Sequence, residues 1–390
     1  MRRALSFLFL LSFIVAACAT QTPFPVSEPS VETPPTPYPD TPAPVAIDAP
    51  IVEAPALVTI RFINELDGWG VTETQVVRTN DGGVTWYNVT PPNVTETGYS
   101  VEVFTLDASH AWIQKPDFSN YPNSGFLNLT SDGGITWTTI TVPFSGARLS
   151  FLNPKDGWAL ADLGAGAGSN AVAVYQTGDG GITWVQTYIN DPNHPNASDS
   201  LPLGGLKSDL IPLDMQGAFI SGVTYASGVI YLYRTDDGGH TWSPVDVPIP
   251  AGTENAQMGI EDGAMNMVSA TEGFLSVRIA ANNTQTAIYT TQEAGETWTL
   301  TPTLIPGGGR ADFLSAQEAV IYNGGQFFVT RDAARTWVTV SPDVAFGESF
   351  AGMDFVTTMS GWVITVDATT GHRSLYRTSD GGATWFPVIP

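Results

Sequence analysis

The chain has 390 residues, with 15 basic and 38 acidic side chains and a formal charge of −23. A polyanion of this kind cannot neutralise phosphates by counterion release, so nucleic acid is excluded as an expected partner. With 39 Gly, 29 Pro and 11 Trp the composition favours short strands joined by tight turns, and a lone cysteine excludes an intramolecular disulfide.

In chain order, Arg2 and Arg3 precede an apolar run from Leu5 to Val15 that is too short to span a bilayer comfortably. Val15-Ala16-Ala17-Cys18 closes the run with small residues, the layout of a signal peptide over residues 1–17. This ending resembles the lipobox of bacterial lipoproteins. That resemblance implies lipidation of Cys18, cleavage before it, and an extracytoplasmic protein anchored to the membrane. Cleavage leaves 13 basic against 38 acidic residues, a net charge of −25.

Residues 18–56 read as a disordered linker. Eleven of the 29 prolines lie between 19 and 56, and no hydrophobic periodicity could bury a core there. A proline-rich stalk of this length reaches roughly 120 Å.

From 57 to 390 one turn recurs seven times. It appears first as Thr79-Asn80-Asp81-Gly82-Gly83-Val84-Thr85-Trp86 and returns at Thr130–Trp137, Thr177–Trp184, Thr235–Trp242 and Thr378–Trp385, with Asp132, Asp179, Asp237 and Asp380 in the acidic place. Two copies are altered. Thr291–Trp298 carries Glu293 and Ala294, and Thr330–Trp337 keeps Asp332 but has Ala333 and Ala334 for both glycines. The carboxylate can accept hydrogen bonds from following N–H groups, the glycines permit positive φ, and the indole (Trp86, Trp137, Trp184, Trp242, Trp298, Trp337, Trp385) packs on the strands.

A small residue followed by a large apolar one precedes each turn: Gly68-Trp69, Ala111-Trp112, Gly157-Trp158, Ala218-Phe219, Gly273-Phe274, Ala319-Val320 and Gly361-Trp362. Earlier again stands an apolar anchor, such as Phe62, Phe104, Phe151, Phe313 or Phe355. Each repeat therefore predicts four short strands, in the first repeat about 57–63, 68–73, 75–79 and 85–89. Spacings of 39 to 58 residues between acidic positions fit one four-stranded blade plus a variable loop. The expected fold is all-β, a seven-bladed propeller of antiparallel blades over 57–390, closed by packing of first on last blade without an exchanged strand.

The turn resembles the Asp-box, or bacterial neuraminidase repeat. Together with the preceding Phe and Asp-Gly-Trp it is similar to the propeller family of the photosystem II assembly and stability factor. The resemblance implies a non-catalytic scaffold that binds a protein or peptide, acting as a monomer without a cofactor. The turns are then structural and fall on one face with the loops carrying Asp67 and Asp156. Binding is expected on the opposite face, where Lys115, Arg148, Lys207, Arg278, Arg310 and Arg373 make a candidate patch for a carboxylate or an acidic peptide segment.

Asp-box propellers also include glycosidases, and a carbohydrate-active enzyme with a glycan partner is the alternative. A sialidase needs three convergent arginines and a Tyr-Glu pair, and neither an Arg-Ile-Pro motif nor such a pair is evident. A xyloglucan hydrolase needs two carboxylates across a cleft, which such enzymes place between two propellers. His110, His194, His240 and His372 lack metal-ligand spacing, so no metal is expected. The glycine-rich stretch from Leu163 to Gly168 has no helix after it to hold phosphate, and reads as a flexible loop.

Overall fold

Every repeat offers an apolar anchor that has to be buried and a small residue able to lie beneath it. A computed structural model describes residues 47–98 and 101–389. The expected signal peptide, Cys18 and the linker up to residue 46 lie outside the described residues.

In blade 1 the strands Thr59–Phe62, Gly68–Val71, Val76–Thr79 and Trp86–Asn88 pair antiparallel in that order. The register sets Phe62 opposite Gly68, where an added Cβ would meet the Phe62 ring at 2.6 Å. Phe151 over Gly157 and Phe355 over Gly361 repeat this, each at 2.5 Å. The small residue of each pair is thus a seat for the anchor ring, and the large residue after it points into the blade junction.

Those large residues hold neighbouring blades together. Phe151 of blade 3 stacks on Trp112 of blade 2 with centroids 3.8 Å apart, and Phe313 of blade 6 on Phe274 of blade 5 at 5.0 Å. The indole N–H groups of Trp69, Trp112 and Trp158 donate to Asp107 O, Gly180 O and Asp214 O of the next blade, at 2.8 to 3.0 Å. Each junction so gains apolar burial and a satisfied buried donor together.

Seven four-stranded blades result. Five are separate sheets, and two share a nine-stranded sheet because Gln257–Gly259 pairs with the second strands of both blade 4 and blade 5. Ring closure uses the same devices as the other junctions. Phe62 stacks on Trp362 at 3.6 Å, Trp362 Nε1 donates to Gly82 O at 3.0 Å, and Ser360 Oγ donates to Glu65 Oε1 at 2.7 Å. The outer strand of blade 7 is its own Phe386–Pro387, so no strand is exchanged.

Three details differ from the sequence reading. Ile51–Val52, placed in the linker, pairs with Trp86 and Tyr87 as a fifth strand on blade 1. The stretch at 164–166 is ordered rather than a flexible loop, because strands Gly157–Gly166 and Ser169–Thr177 continue to a tight hairpin that pairs Gly166 with Ser169. The bridging strand Gln257–Gly259 was not foreseen at all, since its three residues carry no repeat signature.

Candidate functional site: the central cavity

The repeated turns are self-contained. At Thr130, the hydroxyl donates to Asp132 Oδ1 at 2.8 Å and accepts from Gly134 N at 2.9 Å. Asp132 in turn accepts from Thr136 N at 2.9 Å and from the Thr136 hydroxyl at 2.6 Å. Asp179, Asp237, Asp332 and Asp380 repeat both acceptor bonds, and Asp81 accepts from Thr85 N at 2.8 Å. Each turn is also sewn to the loop after its own blade's first strand, as in Gly82 N to Leu66 O and Gly180 N to Lys155 O. Turns and first loops therefore share a face, and their carboxylates are occupied.

Indoles follow the same division. Trp184, Trp242 and Trp385 donate to the carbonyl of the second turn glycine at 2.9 to 3.1 Å, and Trp137 donates to Val89 O of the preceding blade at 2.8 Å. In the two altered turns Trp298 and Trp337 keep buried N–H groups without a partner. There Ala294, Ala333 and Ala334 also hold φ of 52°, 57° and 60°, a region costly for any residue with a Cβ.

The inner strands surround a cavity of about 2070 Å³. Glycines at the heads of these strands line it, including Gly146, Gly263 and Gly347, where an added Cβ would meet nothing within 4 Å. Its charged lining comes from several blades, and sequence reasoning named only part of it.

Of the six candidate cations, Arg148, Lys207, Arg278 and Arg310 line the cavity. Lys115 and Arg373 do not: Lys115 Nζ donates to Asn93 O at 3.1 Å, and Arg373 Nη1 to Leu57 O at 3.3 Å. Lys207 is already spent. Its ammonium sits among the carbonyl oxygens of Asn170, Pro202, Leu203 and Gly205 at 2.6 to 3.1 Å, and burial lowers its pKa to about 8. Arg148 bridges Glu102 and Asp262, each at 3.1 Å, while Arg278 meets Glu261 at 3.2 Å.

Buried and half-buried carboxylates form a second group that the sequence reading missed. Asp354 accepts from the Phe62 N–H of blade 1 and from Arg61 Nη1 at 3.2 Å, and Asp312 accepts from Phe355 N of blade 7 at 2.9 Å. Each lies directly before its blade's anchor Phe and ties that blade to the next. Burial pushes Asp312 up to about 7, helped by the charge of Asp354, and raises Asp354 against the opposing pull of Arg61. Burial likewise lifts Glu102 to about 7 and Asp209 to about 6, with Asp262 adding repulsion to both. The available signal was the position itself, since Arg61, Asp312 and Asp354 all precede the anchor.

Comparison with known proteins locates the fold. No family model matches the chain. A xyloglucanase of Hypocrea jecorina (strain QM6a) is 25% identical over 255 residues, covering 55% of this chain and 29% of that enzyme. One from Paenibacillus sp. is 30% identical over 142 residues, 32% of this chain and 13% of the enzyme. This chain thus spans less than a third of the length of these relatives.

Among solved structures, YCF48 bound to D1 peptide has 16% identity and a TM-score of 0.52, over 86% of this chain and 99% of that one. YCF48 from Cyanidioschyzon merolae gives 17% and 0.52, over 85% and 97%. The GH74 xyloglucanase from Xanthomonas campestris gives 14% and 0.57, over 87% of this chain and 55% of that one. The chain is a β-propeller that resembles YCF48 and shares its fold with that GH74 xyloglucanase.

Proposed function

We propose that this chain is an extracytoplasmic, lipid-anchored scaffold that binds a protein or peptide segment at its central cavity. One observation carries the reading: the cavity carboxylates buried enough to be tuned are already engaged in holding blades. Asp354 and Asp312 accept backbone N–H groups of the next blade, Glu102 of blade 2 holds Arg148 of blade 3, and Asp209 of blade 4 accepts from Gly263 N beyond the bridging strand at 3.4 Å. A glycosidase needs two carboxylates free to face one glycosidic bond. Arg310, in contrast, is exposed at the cavity lining.

The likeness to YCF48 extends along nearly the whole of that chain, and one of those structures holds a peptide. This favours a single ring acting alone as a binder. The curated relatives favour the second reading, a carbohydrate-active propeller that recognises a glycan.

The test places a photo-crosslinking amino acid at position 146 in the cavity or at position 182 on the turn face, where Ile182 is exposed. Crosslinks to an envelope protein from position 146 alone are expected. Xyloglucan hydrolysis by the purified chain that disappears with Glu102→Gln would replace the scaffold reading with the enzymatic one.

A further inference from the structure

The unforeseen strand at the junction of blades 4 and 5 ends in a two-acid tip. After Gly259, which pairs with Val223 on one side and Arg278 on the other, Ile260 is fully buried and its N–H donates to Gly222 O at 3.1 Å. The chain then reverses: Ala264 N donates to Glu261 O at 3.1 Å, with Gly263 at φ 70° as the turn's third residue. Both ends of the turn are sealed in the core, and Glu261 and Asp262 stand exposed between them.

These two side chains meet two arginines from different blades. Glu261 Oε1 lies 3.2 Å from Arg278 Nη1 of blade 5, and Asp262 Oδ2 lies 3.1 Å from Arg148 Nη2 of blade 3. Arg148 has a partner besides the turn. Glu102 of blade 2 holds Arg148 through Nη1 at 3.1 Å, leaving the Nη2 edge toward Asp262. Arg278 lies over Gly308, where an added Cβ would come within 3.2 Å of its Nε.

We infer that Arg148 and Arg278 form a two-point site for an acidic peptide segment, and that Glu261 and Asp262 fill it in cis as a built-in competitor. The inference rests on the scaffold reading above and names the chemistry of its ligand. Consecutive residues of one chain satisfy both guanidiniums, so neighbouring carboxylates of a partner segment match the same spacing. Displacement needs only rotation of two side chains. All four groups are well exposed, between 43% and 59%, and exposed pairs hold weakly. The formal charge of −23 opposes any polyanion at long range, so recognition depends on these short contacts and weakens with salt.

The experiment is an anisotropy titration of fluorescein-labelled hexaglutamate into the full chain at low ionic strength, with labelled hexalysine as control. The variant Glu261→Gln/Asp262→Asn should tighten hexaglutamate by roughly five- to tenfold, about what two weak exposed pairs withhold. Arg148→Gln/Arg278→Gln should abolish the gain. Equal tightening by Glu53→Gln/Glu296→Gln, the same charge change at exposed acids outside the cavity lining, would overturn the inference in favour of bulk charge. If position 146 crosslinks a partner while Glu261→Gln/Asp262→Asn leaves hexaglutamate affinity unchanged, the competitor falls and the scaffold reading stands. If the predicted hexaglutamate pattern holds while position 146 captures nothing, the arginine site stands and the envelope partner falls.

Discussion

Carboxylates on the turn face and carboxylates around the cavity titrate in opposite directions on the same ring. On the turn face, partial burial pushes Asp132, Asp179, Asp237 and Asp380 up, but threonine hydroxyl and backbone donors outweigh it and hold them below their ordinary value. At Asp332 the Thr336 donors dominate outright. Around the cavity, burial wins at Glu102, Asp209, Asp312 and Asp354. The lesson is that burial weighed against donors, not the acid itself, separates a carboxylate held in its charged form from one whose charge costs the fold.

The comparison breaks most severely if a junction is removed. Trp362→Ala deletes a fully buried indole, its stack on Phe62 and its bond to Gly82 O, and should cost about 3–5 kcal/mol by denaturant unfolding. A loss below about 1 kcal/mol would mean that ring closure does not depend on this contact.

Next in size is the turn itself. Thr130→Val keeps the shape but leaves Gly134 N without its acceptor, and should cost about 1–3 kcal/mol in the same assay. The altered blade 6 turn offers the reverse experiment. Ala333→Gly and Ala334→Gly relieve positive φ and should each add roughly 1 kcal/mol, whereas the same change at a turn already carrying glycines is impossible.

The last prediction is the pH dependence of the melting temperature. Carboxyls held low contribute stability above their unfolded values near 4, and lose it as pH falls through their folded values. Carboxyls held high favour the fold while protonated, so stability declines as pH rises from about 4 to the values near 6 and 7 of Asp209, Glu102 and Asp312. Calorimetry should find a maximum near about pH 4, a decline from there to about pH 7 and a fall at lower pH. Asp312→Asn should flatten the upper limb alone.

Legibility in the sequence followed the same division. Thr130, Asp132, Gly134 and Trp137 lie within eight consecutive residues, so their bonding pattern is local and repeats visibly. The four-stranded blades were readable for that reason. The cavity was not, because Glu102, Arg148, Asp209 and Asp262 come from four separate regions of the chain. Lys207 shows the limit well: scarcity of basic residues made it a candidate, yet four carbonyl oxygens consume it.

The most direct test of a binding cavity at the centre of the ring is to obstruct it beside Arg148. Gly146→Trp adds a side chain into open space at the cavity lining and should leave the melting temperature unchanged. In the Glu261→Gln/Asp262→Asn background, the account predicts that Gly146→Trp removes hexaglutamate binding while an exposed turn-face change, Ile182→Trp, does not. Binding unaffected by the obstructed cavity, or lost through the turn face, would contradict it.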